Sequence, residues 1–257
     1  MALEAYFDGS YIGQGWSSGS LVTLAGFATD DTIWVELYNR WRAILGEDSR
    51  RPKARYLHMK EAVHLKGEFS HRNGWNIHKV FSLVTDLLMY LQTLDKQRFH
   101  QFACTVDLVA HRKLVAKGHK LDDPIEICNG QCPYSVLAWY ATAYPGIIHS
   151  AHYLFDQGEP FEGPFRQKWL KEKQRRISPG GTDMFWSVIK SVASADMRAK
   201  PALQAADLLA WATNRKLSKP ANEPALGNHL EYIMKQIIPS SWILWDEKKF
   251  RDSLALS

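Results

Sequence analysis

Cysteine is scarce in this 257-residue sequence: Cys104, Cys128 and Cys132 are the only three. So small and odd a number makes no disulfide framework, and a reducing compartment, the cytoplasm, is the expected setting. No stretch reaches the roughly 18 consecutive apolar residues of a membrane span. The richest one, Ser135 to Phe155, is broken by Pro145, His149 and His152. Met1 to Ser10 holds no basic stretch followed by an apolar run, so no secretory signal is expected there. Gly13 and Gly15 are not followed by Gly-Lys-Ser/Thr, which excludes a P-loop, and a Gly-x-Ser-x-Gly nucleophile elbow is also missing. Cys128 and Cys132 would share a helix face. His149 and His152, three apart on an expected strand, point to opposite sides, so a tetrahedral zinc site is disfavoured and these cysteines are read as packing residues.

What remains is the composition of an ordinary globular protein, with 46% hydrophobic and 23% charged residues. Ten Trp supply large packing groups. A net charge of +5 permits a polyanionic partner such as nucleic acid without requiring one.

Alternation predicts a first strand over Leu3 to Phe7, ending at Asp8, then a turn-rich loop marked by Gly9, Gly13, Gly15 and Gly19. Ser20 to Ala28 completes a hairpin. Asp30 or Asp31 can cap a helix through Leu45. Leu57 to Asn73 reads as a long irregular segment, of the kind that often carries function. A helix follows over Trp75 to Leu94, and a strand over His100 to Leu108. Cys128 to Tyr144 is expected to be helical, Ile147 to Asp156 a strand, Pro164 to Arg176 a basic helix, and Met184 to Val192 a strand. Pro201 to Leu217 is a helix with Pro in its first turn. Strand and helix order point to an α/β protein with one mixed sheet covered by helices.

Asp207 is the residue most out of place. Leu203, Ala205, Ala206, Leu208, Leu209, Ala210 and Trp211 surround it, so its helix is apolar on nearly every side and should be buried. An unpaired buried carboxylate is costly. Asp207 therefore needs Arg198, Lys200 or Arg215, or a metal, or several donors, unless it lies on an exposed edge of the helix. Asp8 and Asp156 each end an apolar run, at the carboxyl ends of expected strands, where α/β proteins gather ligands. Each taken singly could merely start a turn. If the strands are parallel neighbours, two carboxylates face each other, an arrangement a divalent cation relieves. Hard ions such as Mg²⁺ or Mn²⁺ take carboxylate oxygens and can assist phosphodiester cleavage. Glu159 is either a fourth ligand or a solvated loop residue. His58, Lys60 and Glu61 either line the same site or form a charged surface loop. Lys168, Lys171, Lys173, Arg175 and Arg176 make a basic helix face suited to phosphates or simply to water.

Four segments together resemble a known family. They are Tyr6-Phe7-Asp8-Gly9-Ser10, Leu57-His58-Met59-Lys60-Glu61, Phe155-Asp156-Gln157-Gly158-Glu159 and Leu203-Gln204-Ala205-Ala206-Asp207-Leu208-Leu209-Ala210. This pattern is similar to that of the bacterial family called domain of unknown function 3800, which is ribonuclease-H-like in fold. The resemblance runs from Ala5 to about Leu217, and the last segment is its most specific part. It implies a ribonuclease-H-like, five-stranded mixed sheet with an Asp on the first strand, an Asp on the fourth and an Asp on a late helix. Those positions are Asp8, Asp156 and Asp207 here. On that reading residues 1–257 form one domain, with a helical and loop insertion at about 46–96 and a C-terminal extension at about 218–257. The family opening reads Phe-Asp-Glu-Ser-Gly, whereas this chain has Gly9 at the Glu position.

The expected function is a metal-dependent nuclease. Asp8, Asp156 and Asp207 would hold Mg²⁺ or Mn²⁺, Glu159 or Glu61 would assist, and His58 and Lys60 would serve proton transfer and phosphate binding. A ribonuclease-H-like adaptor that has lost catalysis, for which Gly9 speaks, is the second reading. A two-carboxylate glycosidase is the third.

Overall fold

Residues 2–11, 19–144, 150–174, 183–218 and 241–255 are described in the computed structural model. The loop glycines Gly13 and Gly15, the helix interrupter Pro145, His149, and Arg175 and Arg176 of the basic helix lie outside the described residues.

Strands β1 (Ala2–Tyr11), β2 (Leu21–Asp30) and β3 (His100–Asp107) form an antiparallel meander. β4 (Ser150–Asp156) runs parallel to β1, and β5 (Ile189–Ala195) parallel to β4. β6 (Ser241–Trp245) lies parallel to β3. The spatial order is β5-β4-β1-β2-β3-β6, which puts β1 inside the sheet with neighbours on both sides.

Helices cover both faces. One core packs α1 (Asp31–Glu47), α3 (Ile77–Thr93) and α8 (Pro201–Ser218) against the sheet. The other takes α4 (Leu108–Ala116), α5 (Pro124–Ala143), α6 (Glu162–Gln174) and Phe250 of α9 (Glu247–Ala255). Two short helices complete the set, α2 (Met59–Val63) and α7 (Asp183–Val188). Alternation in β1 divides these cores: Leu3, Ala5 and Phe7 enter the second, while Tyr6 enters the first. Because α8 lies between the sheet and α1, every residue from Pro201 to Asn214 is buried. That accounts for a helix with no polar face.

The sheet has six strands where five were expected. The added one, Ser241–Trp245, is short and half-buried along its whole length, so it lacks the sharp alternation that marks a strand. The expected strand over Met184 to Val192 is a helix through Val188 and a strand only from Ile189. The helix expected from Cys128 begins at Pro124, because the Asp123 carboxylate accepts the Ile125 N–H at 2.8 Å and caps it. The strand expected to end at Asp8 runs on to Tyr11, so Gly9 is a strand residue and not part of a turn. α4 follows β3 directly, capped by Asp107, and has no counterpart in the expected pattern. Leu57 to Asn73 is a compact string of α2 and two 3₁₀ turns, Gly67–Phe69 and His71–Asn73. No helix among the described residues is long and apolar enough to cross a membrane.

Candidate metal centre

Strand register brings the first two carboxylates together. β1 and β4 are parallel with Phe7 opposite Phe155, and the two rings stack at 4.6 Å. One residue further on, Asp8 and Asp156 turn to the opposite face, toward α8. Glu159 returns to the same place from the turn after β4. Asp8, Asp156 and Glu159 each offer a carboxylate oxygen, and the three oxygens lie within 4.8 Å of one another. Asp207 stands outside this mutually close trio and meets it through Asp8, with which it shares a hydrogen bond.

α8 organises the opposite wall. Gln204 and Asp207, three residues apart, share a helix face. Both clamp one extended segment: the Leu57 N–H donates to Gln204 Oε1 at 3.0 Å, and the Met59 N–H donates to Asp207 Oδ2 at 2.6 Å. Amides two apart in an extended chain point the same way, so this pair of side chains reads both. His58 is thereby held between them at the rim of a cavity of about 420 Å³, floored by Asp8, Asp156, Glu159 and Asp207. Lys60, His64, Trp211 and Arg215 also border it.

The electrostatics are those of a site holding too much negative charge. Burial and then the Asp207, Glu159 and Asp156 charges push the Asp8 carboxyl far above the usual carboxylate range. Burial, with Asp156 and Asp207, lifts Glu159 to about 8, against a small opposing pull from Lys60. Asp207 is raised to about 6, chiefly by burial, while the field of His58 and the Met59 N–H oppose the rise. Asp156 is also raised by burial, although the Met197 N–H donates to its Oδ1 at 3.0 Å. Glu159 Oε2 is buried and has no hydrogen-bond partner among the described residues.

Glu159 also explains Gly9. A Cβ at position 9 would collide with Glu159 Oε2 and with the Phe161 ring. Glu159 thus occupies the space that a side chain at position 9 would take. Glu61 takes a different place. It accepts the Tyr56 hydroxyl at 2.9 Å, stands 3.5 Å from His58 Nδ1 and 3.7 Å from Arg198, and does not border the cavity. Gly67, at φ 52°, leaves the space that this carboxylate fills.

The remaining candidates separate from the site. Cys128 and Cys132 are buried and donate to the Cys104 and Leu24 carbonyls at 3.6 and 3.2 Å. His152 pairs with Ser191 Oγ at 2.8 Å. Lys168, Lys171 and Lys173 are exposed on α6 and do not line the cavity. Gln204 went unnoticed in the sequence, although a buried amide one helical turn before Asp207 is its own signal.

No protein-family model matches the chain, and no curated protein matches it.

Proposed function

We propose that this protein is a divalent-metal-dependent nuclease of ribonuclease-H-like type. The observation that carries the proposal is the buried Glu159 Oε2, without a hydrogen-bond partner among the described residues and set against Asp8 and Asp156 in a site where burial and mutual repulsion raise all four carboxyls. Such a group lacks a cation more than a donor. The donor set suits Mg²⁺ or Mn²⁺, being all hard oxygen with no thiol or imidazole in the close trio. Apart from β6, the sheet carries Asp8 on its first strand and Asp156 on its fourth, with Asp207 on a late helix, as the resemblance implies.

Asp8, Asp156 and Glu159 would hold the ion, and Asp207 would complete its surroundings with the oxygen that Met59 leaves available. Mg²⁺ or Mn²⁺, when bound, would supply charge neutralisation and polarise a phosphate oxygen and the attacking water. The chain's own groups do the rest. Lys60, exposed at the rim, attracts a phosphate. His58 Nδ1 faces Glu61, so proton exchange with the leaving oxygen falls to Nε2. Buried apolar neighbours, Met197 and Trp211, limit water at the floor. Gly9 does not favour the adaptor reading, because Glu159 stands where the missing carboxylate would crowd.

Asp207→Asn is expected to abolish Mn²⁺-dependent cleavage of single- and double-stranded nucleic acid while the circular dichroism spectrum stays unchanged. Full cleavage by that variant would refute the assignment.

A further inference from the structure

Gln204 stands at a junction whose connections reach both walls of the site. Its side chain is buried, with 1% exposure. Oε1 accepts two hydrogen bonds, from the Trp41 indole N–H at 2.8 Å and from the Leu57 N–H at 3.0 Å. Nε2 donates to the Met197 carbonyl at 2.9 Å. The N–H of that same Met197 donates to Asp156 Oδ1. One amide therefore ties three elements together: α1 through Trp41, the His58 segment through Leu57, and the β5–α8 connection that holds Asp156.

The Gln amide carries an oxygen with two acceptor lone pairs and a separate N–H donor at the end of one neutral side chain. Oε1 uses both of its lone-pair directions and Nε2 supplies the donor. A carboxylate could accept but not donate, and an apolar side chain would leave the Trp41 indole N–H and the Leu57 N–H without their partner, while the Met197 carbonyl would keep only the Lys200 N–H at 3.0 Å. The spacing also fits. Three residues of helix rise about 4.5 Å and two residues of extended chain about 6.6 Å. The longer Gln side chain makes up the difference, while Asp207 reaches Met59 directly.

We infer that Gln204 is a positioning residue: through Leu57 it sets His58, through Met197 it sets the Asp156 carboxylate, and so it fixes the distance between the two walls of the metal site. The inference rests on the metal-site reading above. Groups that orient metal ligands from behind typically contribute ten- to a hundredfold in metal affinity.

Three variants, with Mn²⁺ titrated calorimetrically into the full-length chain, test this. Gln204→Met keeps the volume and removes every hydrogen bond; Mn²⁺ affinity is expected to fall by about tenfold to a hundredfold. Gln204→Glu keeps both accepted bonds. It is expected to recover part of that affinity and to retain wild-type amide-exchange protection at Leu57 and Met59 while losing protection at Met197. Val136→Ala, in the core on the other face of the sheet, lowers stability without touching this network and is expected to leave Mn²⁺ affinity within twofold, on the scale of the about 0.4 kcal/mol that separates independent sites. A flat titration of the wild-type chain overturns the metal reading and this inference together. Wild-type binding with equal binding by folded Gln204→Met overturns this inference alone. So does a loss in Val136→Ala as large as that in Gln204→Met, because the effect would then follow stability and not position. If Gln204→Met does not fold, Gln204→Glu decides: affinity and Met197 protection both equal to wild type would overturn the inference.

Discussion

Asp8 and Asp30 lie at opposite ends of the same hairpin, Asp30 opposite Leu3 and Asp8 opposite Ala25. Both are buried, with 2% and 3% exposure for Asp30 and Asp8. Their surroundings differ in kind. Asp30 caps α1 by accepting the Thr32 and Ile33 N–H groups, accepts the Thr32 hydroxyl, and receives Arg98 in a fork at 2.7 and 3.2 Å. Burial alone would raise its carboxyl, but the Thr32 and Arg98 hydrogen bonds outweigh burial and hold it below the usual range. Asp8 meets Asp207, Glu159 and Asp156, and its carboxyl is driven up. A carboxylate that serves the fold comes with its donors; a carboxylate buried among its own kind is what the proposed metal site would require.

The largest effect should appear in activity. Asp8→Asn is expected to lower Mn²⁺-dependent cleavage by about a thousandfold, equivalent to about 4 kcal/mol of lost transition-state stabilisation. The same change should raise the melting temperature of the metal-free protein, since it removes a carboxyl whose ionisation burial and then its acidic neighbours oppose. Asp30→Ala should do the reverse. It loses a helix cap worth about 1 kcal/mol and a charged hydrogen bond worth about 1.5–3 kcal/mol, for a total near 3 kcal/mol read by urea denaturation. The rate per folded molecule should not change. If Asp8→Asn destabilised and Asp30→Ala stabilised, the contrast between the two ends would collapse.

Acid and base should also separate them. Asp30 has a lowered carboxyl pKa, so its contribution is present above the unfolded value near 3.8 and disappears as pH falls below it. Glu159 is raised from 4.5 to about 8, so the folded state is unpenalised below pH 4.5 and loses stability as pH rises through 8. Each pKa unit that survives screening amounts to about 1.4 kcal/mol. Metal-free protein is therefore expected to melt about 5 °C lower at pH 8 than at pH 5.5. Saturating Mn²⁺ should cancel that loss at pH 8. Equal melting temperatures at both pH values without metal would show that the carboxyls do not repel as described.

Much of this contrast was legible in the residues. Asp207 announced itself because an aspartate on a helix apolar on all sides has no inexpensive solution. Asp8 and Asp156 were legible as strand ends, but their meeting depends on the Phe7–Phe155 register, which no local pattern encodes. Glu159 was ambiguous for the same reason: whether a residue three past a strand turns inward depends on Gly9 lacking a side chain far away in the sequence. Glu61 shows the converse, a carboxylate in a suggestive motif that spends its bonding on Tyr56 and His58. Of the hairpin, β1 was readable from alternation and β2 from its run of apolar residues, which is buried throughout. β6, α4 and the start of β5 were not, since short half-buried elements show little period.

The smallest effect concerns two glycines. Gly46 lies in α1, the helix that Asp30 caps, and a Cβ there meets nothing within 4 Å. Gly46→Ala is therefore expected to stabilise by up to about 1 kcal/mol, the helix-propensity difference. Gly9 is beside Asp8, and an added methyl would strike Glu159 Oε2 and the fully buried Phe161 ring. The Glu159 carboxylate sits at the end of a flexible side chain and can move; the Phe161 ring, packed in the core, cannot move far. Gly9→Ala is thus expected to destabilise by about 1–3 kcal/mol, the range for overpacking. It should also weaken Mn²⁺ binding, because the collision displaces Glu159 from Asp8 and Asp156. The two losses can be told apart. In a Gly9→Ala, Glu159→Gln double variant the Mn²⁺ effects should not add, since the alanine acts on binding only through the carboxylate that the glutamine has already removed. The stability cost against Phe161 should persist in full. Additive losses of affinity would mean that Gly9 supports the site by some route other than the room it gives Glu159.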